Sequence, residues 1–198
     1  MIEAVLFDFD GVIRFYHEED TSAVEDAFSL PRGTIGRAAY TADLLLRVTT
    51  GSLTRSEWVA AVGQVIGSAD AAQAWGRRPA TTCPDVLQIV SETRSRGIPA
   101  YLITNGTDNL TAELIELGIA DVFDGVFNSS ELHVAKPSIE IFQIAVDAIG
   151  TRPNRIAFVD DIEENVATAR GLGIIGMRYT NVLELRKWLM ILGVIGSG

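Results

Sequence analysis

Histidine and cysteine are nearly absent from this chain: 198 residues hold two of the first and one of the second. The single Cys83 excludes a disulfide framework within the chain, which suits a reducing compartment. His17 and His133 have no metal-ligand spacing, so a histidine-based metal site is not expected. Positive charge is also scarce. Sixteen Lys and Arg face 26 Asp and Glu, a net charge of −10. A nucleic-acid binder carries the opposite balance, and an anionic membrane surface repels the same excess. Long apolar runs are missing too, since the longest, Trp188 to Gly196, is too short to cross a bilayer. No basic segment precedes the apolar run Ala4-Val5-Leu6-Phe7, so no signal peptide is expected. The expectation is a soluble, cytoplasmic protein with no nucleic-acid or membrane partner.

What is present reads as an ordinary globular chain. Hydrophobic residues make up 47% and charged residues 21%, which excludes disorder. A chain this long buries about two-thirds of its unfolded surface and needs no staple to fold. At roughly 150 residues per domain it is one domain with a sizeable insertion.

Short apolar runs alternate with helical patterns. Ala4 to Phe9, Pro99 to Ile103, Gly125 to Phe127, Arg155 to Val159 and Ile174 to Tyr179 read as strands. Their near-continuous apolar character suits parallel strands buried on both faces. Helices are predicted over 85–96, 109–117, 138–149 and 162–172, each followed by a glycine that supplies a left-handed stop. A last amphipathic helix over 182–193 is expected to pack on the sheet. Strand–helix–strand at this pace means an α/β, doubly wound, Rossmann-like parallel sheet. Between Arg14 and Thr82 the pattern changes. No good strand is found there, and 21–30, 35–48, 56–66 and 69–75 look helical. The expected organisation is an α/β core of residues 1–13 and 83–198, with a helical insertion, 14–82, after the first strand. Glu18-Glu19-Asp20 reads as a solvated helix start.

The chemistry sits at strand ends, beyond which ligands bind in open α/β sheets. The first strand ends Asp8-Phe9-Asp10-Gly11. Two carboxylates two residues apart leave the same side of an extended chain, and they repel unless a cation neutralises them. The pair asks for a hard divalent ion, most simply Mg²⁺. Gly11 lets the backbone turn at once. Another strand ends Val159-Asp160-Asp161, with Asn165 following. Asp161 alone is readable as a helix cap, but two adjacent acids exceed what a cap requires. Thr104-Asn105-Gly106 offers a hydroxyl, an amide and backbone N–H groups where a helix is expected near Asp108, a phosphate-sized anion site. Lys136, before Pro137, is a cation able to neutralise a phosphoryl group.

Taken together, Asp8-Phe9-Asp10-Gly11-Val12, Thr104, Lys136-Pro137 and Asp160-Asp161 resemble the four motifs of the haloacid dehalogenase superfamily of hydrolases. Order and spacing match: 94 residues from Asp10 to Thr104, 32 more to Lys136, 25 more to Asp161. The insertion resembles the small helical cap of one subclass. The resemblance implies a Mg²⁺-dependent phosphatase of a small phosphorylated metabolite: a sugar phosphate, phosphoglycolate or a nucleotide. It implies that Asp8 is the nucleophile, forming an aspartyl-phosphate, and Asp10 the general acid/base. Thr104 and the N–H of Asn105 would hold phosphoryl oxygens, and Lys136 would neutralise charge. Asp8, Asp10 (through its backbone carbonyl), Asp160 and Asp161 would hold the metal. The family's dehalogenases have Asp-x-Tyr where this chain has Asp-x-Asp, so dehalogenation is not expected. A phosphomutase of the β-phosphoglucomutase type shares all four motifs. A non-catalytic binding role requires motif losses that are not seen. Substrate choice is expected from Arg14, Tyr16, His17, Tyr40, Arg47 and Trp58, and the state is monomer or homodimer.

Overall fold

In the computed structural model, which describes residues 1–196, the core begins at β1 (Ala4–Phe7) and β2 (Arg14–Phe15). Five helices follow: α1 (Glu18–Ala27), α2 (Thr34–Ala39), α3 (Ala42–Thr49), α4 (Arg55–Ile66) and α5 (Ala69–Gly76). The chain then runs through β3 (Thr81–Thr82), α6 (Pro84–Ser95), β4 (Ala100–Thr104), α7 (Leu110–Glu116), β5 (Gly125–Asn128) and α8 (Ser129–Leu132). It closes with α9 (Ile139–Ile149), β6 (Ile156–Asp160), α10 (Glu163–Gly171), β7 (Ile175–Arg178) and α11 (Val182–Ile191). Residues 197 and 198, the end of the second predicted core segment, lie outside the described residues.

The main sheet has the order β5-β4-β1-β6-β7, and every neighbouring pair is parallel. Period-two alternation sends side chains to opposite faces. Val5, Phe7, Leu102, Ala157 and Val159 pack with Val86 and Ile89 of α6 and Leu185 and Leu189 of α11. Ala4, Leu6, Ile103 and Phe158 pack with Ile141 and Phe142 of α9 and Val166 of α10. Both faces are covered, which is why these strands carry almost no polar residue before their last positions. Full burial of Phe7, Phe142 and Phe158 contributes about 1.5–3 kcal/mol for each ring. This is the doubly wound α/β sheet expected from the sequence. The first strand is its centre, so what lies just past Phe7 is flanked by the ends of β4 and β6.

The helical segment between β2 and β3 has its own apolar centre of Ile35, Ala39, Val59, Val62, Ala72 and Trp75. Two expectations there are corrected. The single helix predicted over 35–48 is two, because Thr41 accepts from the Leu44 N–H and starts α3 as an N-cap. A strand ribbon also exists where none was predicted: Arg14–Phe15 pairs antiparallel with Thr81–Thr82. Two residues per strand are too few to show alternation. The ribbon joins the two passages between sheet and helices. Among the described residues, no helix is long and apolar enough to cross a membrane.

Candidate active site

The β1–β6 register places Phe7 opposite Val159, so the residues that follow each, Asp8 and Asp160, emerge side by side. One oxygen from each of Asp8, Asp160 and Asp161 lies within 4.8 Å of the others. Lys136 reaches into this group from the loop before α9. Its Nζ donates to Asp8 Oδ1 at 2.6 Å, to Asp160 Oδ2 at 2.7 Å and to the Ile103 carbonyl at 3.1 Å. All three ammonium protons are therefore used, and Lys136 is buried. The Asp8 Oδ1 also accepts from the Phe9 N–H at 2.7 Å. Among the described residues, Asp8 Oδ2 takes no hydrogen bond.

Asp160 is fixed from its own strand end. Its Oδ1 accepts from the Ile162 N–H at 2.8 Å, and Asn165 Nδ2 donates to both oxygens at 3.0 Å. Asn165, one turn into α10, was noticed in the sequence only as a companion of the acidic pair. Its role here is to hold Asp160. Asp161 does not cap α10, whose N-cap is Ile162. Its Oδ1 is buried without a hydrogen-bond partner. Gly11, at φ +86°, lies against the same carboxylate: a Cβ there would stand 2.4 Å from Asp161 Oδ2. Only glycine permits both the backbone angle and this approach.

Three carboxylates around one ammonium strain the charge balance. Burial pushes the Asp8 carboxyl up to about 8, with Lys136 opposing and Asp160 adding to the rise. Burial and the neighbouring Asp160 raise Asp161 as well. Burial alone would lower Lys136, but Asp8 and Asp160 outweigh it and hold its proton. The excess acidity and the unpartnered Asp161 oxygen fit a hard divalent cation, which takes oxygen ligands and relieves carboxylate repulsion.

Thr104 ends β4 and is buried. Asn105 does not present a free amide. Its Oδ1 accepts from the Lys136 N–H at 2.8 Å and its Nδ2 donates to the Lys136 carbonyl at 2.9 Å. The side chain thus clamps the backbone that carries Lys136. The helix expected near Asp108 starts at Leu110 behind Asn109, so the N–H groups of residues 105–107 belong to irregular chain. Asp108 instead accepts from the Arg55 N–H at 2.7 Å.

Asp10 stands apart from the three-carboxylate group. Arg14 Nε donates to its Oδ1 at 2.6 Å and Arg14 Nη2 to its Oδ2 at 2.9 Å. The buried Arg14 turns its remaining nitrogen to Glu113 Oε2 at 2.5 Å. Arg55 pairs with the other Glu113 oxygen at 3.1 Å. Glu113 of α7 therefore ties β2 and α4 to the core. A second tie lies at the Thr50-Gly51 turn, where the Thr50 carbonyl meets His133 Nδ1 at 3.0 Å.

Between sheet and insertion lies a cavity of about 240 Å³. Asp10, Asn105 and Thr107 line its core side, and Tyr16, Tyr40 and Trp58 its far side. Four of the six residues expected to face a substrate, Arg14, Tyr16, Tyr40 and Trp58, do line it. His17 pairs with Thr81 and Arg47 with Asp43, and neither lines the cavity. Arg55, Arg78 and Glu113 also line it and were not singled out from sequence. Charged residues on helices, like Arg55 and Glu113, or in a connecting loop, like Arg78, look like solvated surface until the fold turns them inward.

The match to known proteins follows the same frame. Residues 2–173 match the haloacid dehalogenase-like hydrolase family. A sesquiterpene phosphatase of Aspergillus oryzae is 32% identical over 56% of this chain and 61% of its own length. A phosphoserine phosphatase of Thermus thermophilus is 34% identical over 50% of this chain and 40% of its own. The chain thus spans about half the length of these two relatives. A family enzyme of Bacteroides thetaiotaomicron, solved with magnesium and inorganic phosphate, superposes with a TM-score of 0.75 at 22% identity. That superposition covers 91% of this chain and 95% of the other. The chain belongs to the haloacid dehalogenase-like hydrolases.

Proposed function

We propose that this protein is a Mg²⁺-dependent phosphomonoester hydrolase acting on a small metabolite through an aspartyl-phosphate. The observation that carries the reading is the Lys136 ammonium bridging Asp8 and Asp160, with the unpartnered Asp161 oxygen beside them. These groups would supply one half of a phosphoryl site: a nucleophile held in place, and a cation to neutralise charge. Asp8, Asp160 and Asp161 would hold Mg²⁺ with the Asp10 carbonyl, and the ion would supply charge neutralisation for the phosphoryl group and nucleophile.

In this reading Asp8 Oδ2, the oxygen without a hydrogen bond, attacks phosphorus while Lys136 keeps Oδ1 fixed. The P–O bond to the leaving group breaks as the P–O bond to Asp8 forms, and Asp10 gives its proton to the departing oxygen. Asp10 then takes a proton from water, which attacks phosphorus, frees inorganic phosphate and restores the Asp8 carboxylate. Thr104 and the N–H of Asn105 would hold phosphoryl oxygens. Residues 14–82 act as a cap that roofs the site and shapes the leaving-group space. Asp10 also argues against dehalogenation, because a halide leaves without needing a proton.

Phosphate release from a panel of phosphomonoesters, with Mg²⁺ and with EDTA, tests the reading on wild type and Asp8→Asn together. Release that requires Mg²⁺ and Asp8 is expected. Release that survives in Asp8→Asn contradicts the nucleophile, and turnover only with a bisphosphate activator points to a mutase.

A further inference from the structure

Five cationic side chains stand in or near the space between sheet and insertion, and three of them are paired with carboxylates. Lys136 is held by two carboxylates, Arg14 by Asp10 and Glu113, and Arg55 by Glu113. Arg77 is exposed at the outer rim. Arg78, half-buried in the cavity wall, has no carboxylate within ion-pair distance among the described residues. Its position is nevertheless well determined. The guanidinium lies 4.2 Å from the Tyr16 ring centre and 4.6 Å from that of Trp75. Nη1 donates to the Trp75 carbonyl at 3.0 Å and Nη2 to the Tyr40 hydroxyl at 3.0 Å.

A guanidinium has five N–H donors, and two are used here. Tyr40, as acceptor of one, keeps its own O–H free to donate. Stacked cations of this kind are held rigid with most of their hydrogen-bonding capacity unspent, an arrangement suited to bind carboxylate or phosphate. The position relative to the chemistry is equally defined. Arg14 lies 4.9 Å from the same Tyr16 ring and grips Asp10 with two bonds. The Tyr16 ring therefore neighbours both Arg78 and the guanidinium that holds Asp10, the proposed general acid. Arg78 borders both the cavity of about 240 Å³ that Asp10 and Tyr40 line and a second of about 540 Å³ that shares Arg14, Tyr16 and Arg55 with it.

Resting on the proposed phosphatase reading, we infer that Arg78, with the Tyr40 hydroxyl, selects phosphomonoesters whose leaving group carries a second anionic group. A carboxylate and a second phosphate share this chemistry. Arg78 is then a specificity residue and takes no part in proton or phosphoryl transfer.

The test compares phosphoglycolate with its neutral counterpart 2-hydroxyethyl phosphate, on wild type, Arg78→Lys and Arg78→Ala. Ethylene glycol bisphosphate is the second anionic arm, and the better of the two anionic esters identifies the group. Removing a charge-assisted contact should cost kcat/KM about tenfold to a hundredfold on an anionic ester. The loss on the anionic esters should exceed that on the neutral one by tenfold or more in Arg78→Ala, mainly through KM, and Arg78→Lys should recover part of it. Equal losses on all three esters in both variants would make Arg78 a packing residue and overturn the inference. Calorimetric titration of the Asp8→Asn protein with the same esters separates the two readings. Arg78-dependent preference for the anionic ester supports the inference even where no ester is turned over. Indifference to the second charge overturns it while a working, Asp8-dependent hydrolase leaves the phosphatase reading intact.

Discussion

Arg14 grips Asp10 at both carboxylate oxygens, Nε to Oδ1 at 2.6 Å and Nη2 to Oδ2 at 2.9 Å. Arg14 is 6% exposed at the side chain and Asp10 46%, so the fixed partner is the arginine and the adjustable one is the acid. Such a fork sets the direction of the Asp10 side chain, which a lysine point charge cannot do. Since both oxygens accept here, Asp10 gives a proton only once one of them leaves the guanidinium. Arg14→Lys is expected to lower kcat about tenfold or more by misplacing the proton donor. The loss should shrink for an ester with an acidic leaving group, which needs no proton. Parallel rates for poor and good leaving groups across the variant would contradict the positioning role.

Glu113 should act as a pH-sensitive strap between core and insertion. Burial alone raises its carboxyl, but Arg14 and then Arg55 outweigh it, and its pKa lies below the ordinary glutamate value. A depressed acid contributes stability that is fully present above its unfolded value, about 4.3, and lost as pH falls through the lower folded value. Chemical denaturation of wild type and Glu113→Gln is expected to show a gap that is constant near neutrality and closes below about pH 4. A gap unchanged down to pH 3 would place the effect in packing instead.

Lys136 should be structural as well as functional. Removing its charge leaves Asp8 and Asp160 buried and facing each other. Lys136→Met is expected to abolish turnover and, above about pH 8, where Asp8 would otherwise be ionised, to destabilise the metal-free protein by about 3 kcal/mol. Urea denaturation in EDTA measures this, and wild-type stability in the variant would mean the carboxylates are already neutral.

Gly11 should connect backbone geometry to metal affinity. Gly11→Ala places a methyl at φ +86° and 2.4 Å from Asp161 Oδ2. A loss of roughly 1 kcal/mol or more is expected from the backbone alone. Because Asp161 must also move, the thermal stabilisation that Mg²⁺ is expected to give the wild type should weaken in this variant. An undiminished Mg²⁺ shift would separate Asp161 from the metal site.

The sheet was legible because each core strand announces itself as an apolar run with polar chemistry only at its end. Asp8, Thr104 and Asp160 stand out for that reason. The β2–β3 ribbon was not legible, since two residues per strand carry no period. Neither was the break at Thr41, where a cap sits inside a continuous helical pattern. Within the site, sequence could bring Lys136 and the acids together only through motif order. It could not show that the Asn105 side chain clamps the Lys136 backbone, nor that Arg78 faces the cavity. Those facts depend on contacts made across more than thirty residues of chain, to which local pattern is blind.

The central claim is that Asp8 carries the phosphoryl group. Acid quenching during turnover with Mg²⁺, followed by proteolysis and mass spectrometry, tests it most directly. The account predicts one added phosphoryl group on the peptide containing Asp8, absent in Asp8→Asn and accumulating in Asp10→Asn with a good leaving group. Phosphate released in every turnover with no phosphoryl ever found on that peptide, while another residue carries it, would contradict the account.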